Sequence, residues 1–208
     1  MHCRRLNSQV SSHRWVLSEE GRRRCRWLAD ELKTQKVSRL FSSLEPKALE
    51  TAALVAVRTG HRIEPRPNLR ENDRTGFGFV EQDELQQQFR MFFNQPTRVK
   101  IGEETADDAF ERFAAAVRDI LDKARGENIA VVTHGTVLTL FVARHNAHVP
   151  PFDLWASLGL PSYFVVETET FVSDGEIHSF SEVADWASIG HTAAANPVKI
   201  RPCRYVQG

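Results

Sequence analysis

The 208 residues are 41% hydrophobic and carry 27 basic against 27 acidic side chains, which is enough apolar material for one substantial core and no net charge to drive binding to polyanions. Three cysteines, Cys3, Cys25 and Cys203, lie far apart with no CxxC pair or zinc spacing, a pattern that excludes a disulfide scaffold and suits a reducing compartment. No apolar stretch is long enough to span a bilayer, and the basic start MHCRR is not followed by the apolar segment of a signal peptide, so a cytoplasmic protein with no membrane partner is expected.

Taken in order, the first residues, MHCRRLNSQVSSHRW, are polar and aperiodic and read as a loop. Ser18 is placed as an N-cap, Glu19 and Glu20 suit a first turn, and Cys25, Leu28 and Leu32 share one face, which predicts a helix ending near Gln35. Residues 1–40 hold ten Lys/Arg against four Asp/Glu. The excess, largely Arg22, Arg23, Arg24 and Arg26, is not interleaved with aromatics, so it reads as a solvated helix face and nucleic acid is not expected as a partner. Val37, Leu40 and Phe41 make a short buried strand, SSLEP breaks it, and Pro46 opens a helix that runs to Thr59 with Gly60 as its stop. His61 to Pro67 reads as another strand, followed by the charged stretch NLRENDRTGFGF. Leu85, Phe89, Phe92 and Phe93 mark a lid-like helical segment whose phenylalanines suit core packing better than a ligand role. Thr105 or Glu103 opens the next helix, with Phe110, Phe113, Val117, Ile120 and Leu121 on its inner face and Gly126 at its end.

The most informative stretch is Ile129 to Phe141, IAVVTHGTVLTLF. Its first four residues are too few for a helix and read as a strand buried on both faces, while Val137, Leu138, Phe141 and Val142 repeat at helical spacing. His134 therefore stands at the carboxyl end of a parallel strand, where open α/β sheets bind ligands, with Gly135 for the turn and Thr136 as a helix cap. The N-terminus of the following helix favours an anion. A satisfied core or rim histidine is the alternative reading. Pro150, Pro151 and Pro161 then punctuate a loop carrying Phe152, Trp155 and Leu158. Tyr163 to Val172, the Asp174-Gly175 turn and Glu176 to Phe180 read as antiparallel strands at a sheet edge. The alternation of strands and helices predicts an α/β fold of three layers, a mostly parallel sheet with helices on both faces, over residues 1–182, with 183–208 as an irregular tail.

Several signatures are absent: there is no GxxxxGK[ST] loop, no GxGxxG after a strand, no GxSxG elbow and no HExxH. His145 and His148 lack acidic or cysteine companions and read as exposed loop residues, so no metal site is expected. What remains is a pair of strand-end loops, SSLEPK and THGT, which open on the same edge of a parallel sheet and let Lys47 and His134 converge on one pocket.

The order SSLEPKALETA, LREND, GEETADDAFERF and VVTHGTVL, together with WVLSEEGRRR near the start, resembles the histidine phosphatase superfamily, also called phosphoglycerate-mutase-like, over about Trp15 to Ser179. The resemblance implies the corresponding three-layer fold and a reaction in which one histidine attacks phosphorus and water hydrolyses the phosphohistidine, with no cofactor or metal. It places His134 and Gly135 at the phosphate, His134 serving as a cation or donor, and sets Lys47 where the family usually has arginine. Glu71 matches the family's acid, in position to protonate the leaving oxygen. Lysine is a point donor where arginine grips two oxygens, so this departure reshapes phosphate binding.

The other departure is at the start. His2 is the histidine at the family's spacing before Trp15, but Met1 stands where the family has arginine, Cys3 where it often has glycine, and the first strand is lacking. Because that strand lies inside the family's sheet, the expectation is that the true start lies about five to ten residues upstream, the length of a buried strand. Two functions follow. One is a phosphomonoesterase acting on a small phosphorylated substrate or phosphoprotein, with His2, Glu71 and His134 catalytic. The other is a module of the same fold that binds phosphate or phosphoesters without turnover. A mutase fits less well, inorganic phosphate is a ligand in either case, and a homodimer is compatible with both. Substrate specificity is expected in Phe77 to Pro96.

Overall fold

Three short parallel strands carry the architecture: β1 (Arg39–Ser42) in the middle, β2 (Ile63–Pro65) on one side and β3 (Ile129–Val132) on the other. The computed structural model describes residues 12–77, 80–167 and 178–179. Leu40 stands opposite Ile63 and Ala130, and Phe41 opposite Val131. Successive strand side chains face opposite sides of a sheet. Leu40 and Ala130 accordingly join one apolar cluster with Leu28, Leu32, Ala52 and Val55, whereas Phe41 joins the other, with Val131 packed against it. Helices α1 (Glu19–Thr34) and α2 (Pro46–Thr59) cover the first face. Helices α3 (Gln82–Asn94), α4 (Ala106–Lys123), α5 (Gly135–His145) and α6 (Pro151–Ser157) cover the second. The result is the three-layer α/β fold.

The helix ends follow local chemistry. Ser18 accepts from the Gly21 amide and Thr105, rather than Glu103, from the Asp108 amide, each at 3.0 Å, satisfying donors that the first turn leaves open. Pro46 begins α2, and Gly60 ends it in the left-handed conformation at φ 78°. The phenylalanines of α3 are core: Phe89 and Phe92 are fully buried, and the Trp155 ring stacks on Phe89 at a centroid distance of 4.1 Å.

Four expectations need correction. The segment after Pro150 is not a loop but α6, because Pro151 occupies a first-turn position it can tolerate and Phe152 and Leu154 turn inward. The second strand is only three residues, Ile63–Pro65, and gives way to a 3₁₀ turn at Pro67–Leu69. The antiparallel pair is a separate ladder, β4 (Ser162–Tyr163) against β5 (His178–Ser179), rather than an added edge of the parallel sheet. His145 is no exposed loop residue but the last residue of α5, half-buried with its ring 4.5 Å from that of Phe141. His2, the Asp174-Gly175 turn and residues 183–208 lie outside the described residues.

Candidate active site

The carboxyl ends of β1, β2 and β3 each lead into a polar segment, and these segments meet. β1 ends at Ser42 and is followed by Ser43 and the turn into α2 with Glu45 and Lys47. The 3₁₀ turn after β2 delivers Glu71, Asn72 and Arg74, and β3 is followed by Thr133 and His134. Parallel topology puts all three on one edge, so residues far apart in the chain come within hydrogen-bonding distance.

His134 is the N-cap of α5 and is 2% exposed. Its Nε2 lies 2.8 Å from the Ser43 hydroxyl and 3.5 Å from Glu45 Oε1. Burial pushes its pKa down to about 4; the carboxylates of Glu71 and Glu45 oppose this, and Lys47 and Arg74 reinforce it. The ring is thus neutral near pH 7, a donor or acceptor and not the cation the sequence reading allowed. Thr136 does not cap α5 either; its hydroxyl receives a hydrogen bond from Arg74 at 2.9 Å. Gly135 begins the helix without a positive φ, so no left-handed turn explains it; a Cβ there would meet Leu158 at 3.4 Å.

The open amides of α5 already have an anion. Glu71 accepts from Thr136 N at 3.3 Å, from Val137 N at 3.2 Å and from Asn72 N at 3.1 Å, and Arg74 stands 3.4 Å away. Burial alone would raise its pKa, but Arg74, His134, Lys47 and the Asn72 amide outweigh it and hold the carboxyl below its ordinary value. Glu71 is therefore an ionised cap supplied across space.

Lys47, 7% exposed, sits at the start of α2 with its ammonium 2.8 Å from Glu45 Oε2. Glu45 Oε1 in turn accepts from the Glu71 amide at 2.7 Å. A cleft of about 240 Å³ opens beside these groups, walled by Glu45, Glu71, Asn72 and Arg74 with His13 among its lining residues. A larger cavity of about 430 Å³ at Leu17–Arg22 is lined by none of these groups. Two atoms of the cluster, His134 Nδ1 and Asn72 Nδ2, are buried without a hydrogen-bond partner among the described residues, whereas the buried Glu45 Oε2 is held in its ion pair with Lys47. Orphaned polar atoms are costly in a core, and their concentration here fits a site built for a polar ligand.

Of the residues singled out from sequence, Lys47, Glu71, His134 and Gly135 come together at this edge. Sequence reading did not single out Ser43, Glu45, Asn72 and Arg74. Glu45 lies within the quoted SSLEPK and Arg74 follows LREND, but neither type nor spacing signals that its side chain turns inward.

A family model described as histidine phosphatase superfamily (branch 1) matches residues 4–170. Phosphoglycerate mutase-like protein 4 of Arabidopsis thaliana is 34% identical over 130 residues, which is 59% of this chain and 56% of that protein; the chain thus spans little more than half of that relative's length. Among solved structures, YhfR of Bacillus stearothermophilus superposes with a TM-score of 0.64 and 27% identity, over 81% of this chain and 87% of that one. Mycobacterial glucosyl-3-phosphoglycerate phosphatase, solved with inorganic phosphate, shares the fold at a TM-score of 0.61 and 20% identity, over 76% of this chain and 84% of that one.

Proposed function

This chain belongs to the histidine phosphatase superfamily, and from that premise we propose that it is a metal-independent phosphomonoesterase working through a phosphohistidine. The observation that carries the reading is the convergence of Lys47, Glu71 and His134 from three strand-end segments into one buried, hydrogen-bonded cluster. The substrate is a small phosphorylated molecule or a phosphoprotein, and the setting is cytoplasmic.

The chemistry divides as follows. His2 is assigned as nucleophile: its imidazole forms the N–P bond as the P–O bond to the leaving group breaks. Positive charge from Lys47 and Arg74 and a hydrogen bond from neutral His134 balance the phosphoryl oxygens, so the charge stabilisation often supplied by a metal comes from side chains. Glu71 is ionised in the unliganded protein. An incoming phosphoryl group adds negative charge beside it and competes for the amides of α5, and both effects raise its pKa toward that of a usable acid. The proton of Glu71 then goes to the leaving alkoxide. Water attacks the phosphohistidine, surrenders a proton to Glu71, and orthophosphate departs.

A second reading, a binding module without turnover, is favoured by one observation: Lys47, standing where the family usually has arginine, is already paired with Glu45. Hydrolysis of an aryl phosphate in the presence of a chelator, with label transferred from ³²P substrate to protein, supports the enzyme. His134→Ala is expected to abolish both turnover and orthophosphate binding. Phosphate binding without label or turnover supports the module, and phosphate affinity unchanged by His134→Ala removes this cluster as the site.

A further inference from the structure

Resting on the anion site just assigned, we propose that Glu45 makes that site select a phosphoryl group still carrying a proton and reject tetrahedral anions that have none. The Glu45 side chain is 11% exposed and lies among the donors a phosphoryl group needs. Oε1 accepts from the Glu71 amide at 2.7 Å and lies 3.5 Å from His134 Nε2, and Oε2 lies 2.8 Å from the Lys47 ammonium. A ligand oxygen that reaches Lys47 and His134 therefore meets a carboxylate at close range.

Two oxygens that are both acceptors repel each other, and two full negative charges about 4 Å apart oppose binding strongly where water is excluded. One proton between them turns the repulsion into a short charge-assisted O–H···O⁻ hydrogen bond. The structure leaves a place for it, since Oε2 accepts no hydrogen bond among the described residues despite its ion pair with Lys47. The other charged and titratable groups around Glu45 are Glu71 and Arg74 on the segment after β2, His134 at the head of α5, and His13 and Arg70 along the cleft. Glu71, ionised before an anion enters, adds to the excess of acceptors, and the proton it takes up during turnover is committed to the leaving oxygen. The ligand must bring its own. A phosphate monoester has its second pKa near 6 and supplies that proton in its monoanion, whereas sulfate, with the same shape, is fully ionised.

Calorimetric titration with inorganic phosphate and with sulfate at about pH 6, where phosphate is largely singly charged, tests this. The parent protein is expected to bind phosphate at least ~10-fold tighter than sulfate, a gap of about 1.4 kcal/mol or more. In Glu45→Gln, whose amide can donate to an unprotonated oxygen, sulfate is expected to gain until the two anions differ by less than ~3-fold. Equal affinity for the two anions in the parent protein overturns the proposal while leaving the anion site intact, and so does discrimination that survives in Glu45→Gln. If neither anion binds either protein, the site assignment falls together with the proposal. If Glu45→Gln does not fold, Glu45→Ala, which also removes the carboxylate, supplies the same comparison.

Discussion

Arg112 and Glu104 form a two-point ion pair, Nε to Oε1 at 2.8 Å and Nη2 to Oε2 at 2.9 Å, and the same guanidinium donates to the carbonyls of Asn68, Arg70 and Glu71. Glu104 also accepts from the Asp73 amide at 3.0 Å. One arginine on α4 thus fastens the whole segment that presents Glu71. Burial works against the charge on Glu104, but Arg112, with the Asp73 amide and Arg70, offsets it and holds the carboxyl below its usual range.

Arg112→Ala is expected to cost about 2–4 kcal/mol, because it leaves the Glu104 carboxylate and three carbonyls short of a partner. Urea denaturation measures the loss, and hydrogen exchange should quicken at residues 69–74 before it does in α1. Uniform exchange across the chain would show that Arg112 supports the fold at large and not this segment.

Stability should fall on acidification between about pH 6.5 and pH 4, through His134. Its native pKa is lowered from 6.5 to about 4, so across that interval the unfolded chain takes up a proton that the folded chain refuses. The stabilisation is complete above the unfolded value and declines as pH drops toward the folded one, by about 3 kcal/mol in all. Glu71, also lowered, adds a loss in the same direction at more acid pH. Urea midpoints collected against pH should show this slope, and His134→Ala should flatten it above pH 4.5; an unchanged slope in that variant would assign the titration elsewhere.

Lys47→Arg should hold or raise phosphate affinity, since a guanidinium can grip two oxygens and still meet Glu45. Lys47→Ala should lower affinity by about tenfold or more and also destabilise the protein by about 2 kcal/mol, since it strips Glu45 of its ion partner. Calorimetry with orthophosphate separates the two variants. Equal affinities for parent, Lys47→Arg and Lys47→Ala would place the lysine outside the anion site.

Glu71→Gln should slow hydrolysis of an alkyl phosphate far more than that of a nitrophenyl phosphate, because only the poor leaving group needs a proton. The amide also weakens the cap on α5, a cost of about 0.5–2 kcal/mol that thermal denaturation should register. Equal slowing of both substrates would leave Glu71 with the capping role alone.

How far the sequence discloses this arrangement depends on how local each signal is. Ser18, Thr105 and Gly60 announce helix ends because a cap acts within four residues of itself. IAVVTHGT announces a strand-end histidine because strand, turn and helix adjoin one another. Glu45 is different: nothing near it in SSLEPK demands an inward carboxylate, and its position is decided by the Glu71 amide, 26 residues on, and by His134 at the head of α5. The docking of Glu71 on α5 is equally remote, spanning 65 and 66 residues to Thr136 and Val137. Helix α6 escaped notice for the opposite reason: its flanking prolines are loop signals, but Pro151 falls at the one helical turn that accepts proline.

The hydrogen bond between Ser43 and His134 joins positions 91 residues apart, and β1, which meets β2 on one side early in the chain, must wait for β3 to cover the other. Helices α1 and α2 lie close together in the chain and can associate while synthesis continues, whereas strand pairs that close long loops form slowly. A polypeptide emerging from the ribosome consequently cannot complete this site until residues beyond His134 have cleared the exit tunnel, although Glu45, Lys47 and Glu71 emerge well before. Until then the face of β1 that carries Phe41 stands uncovered, and this unfinished half is where chaperones would find their hold.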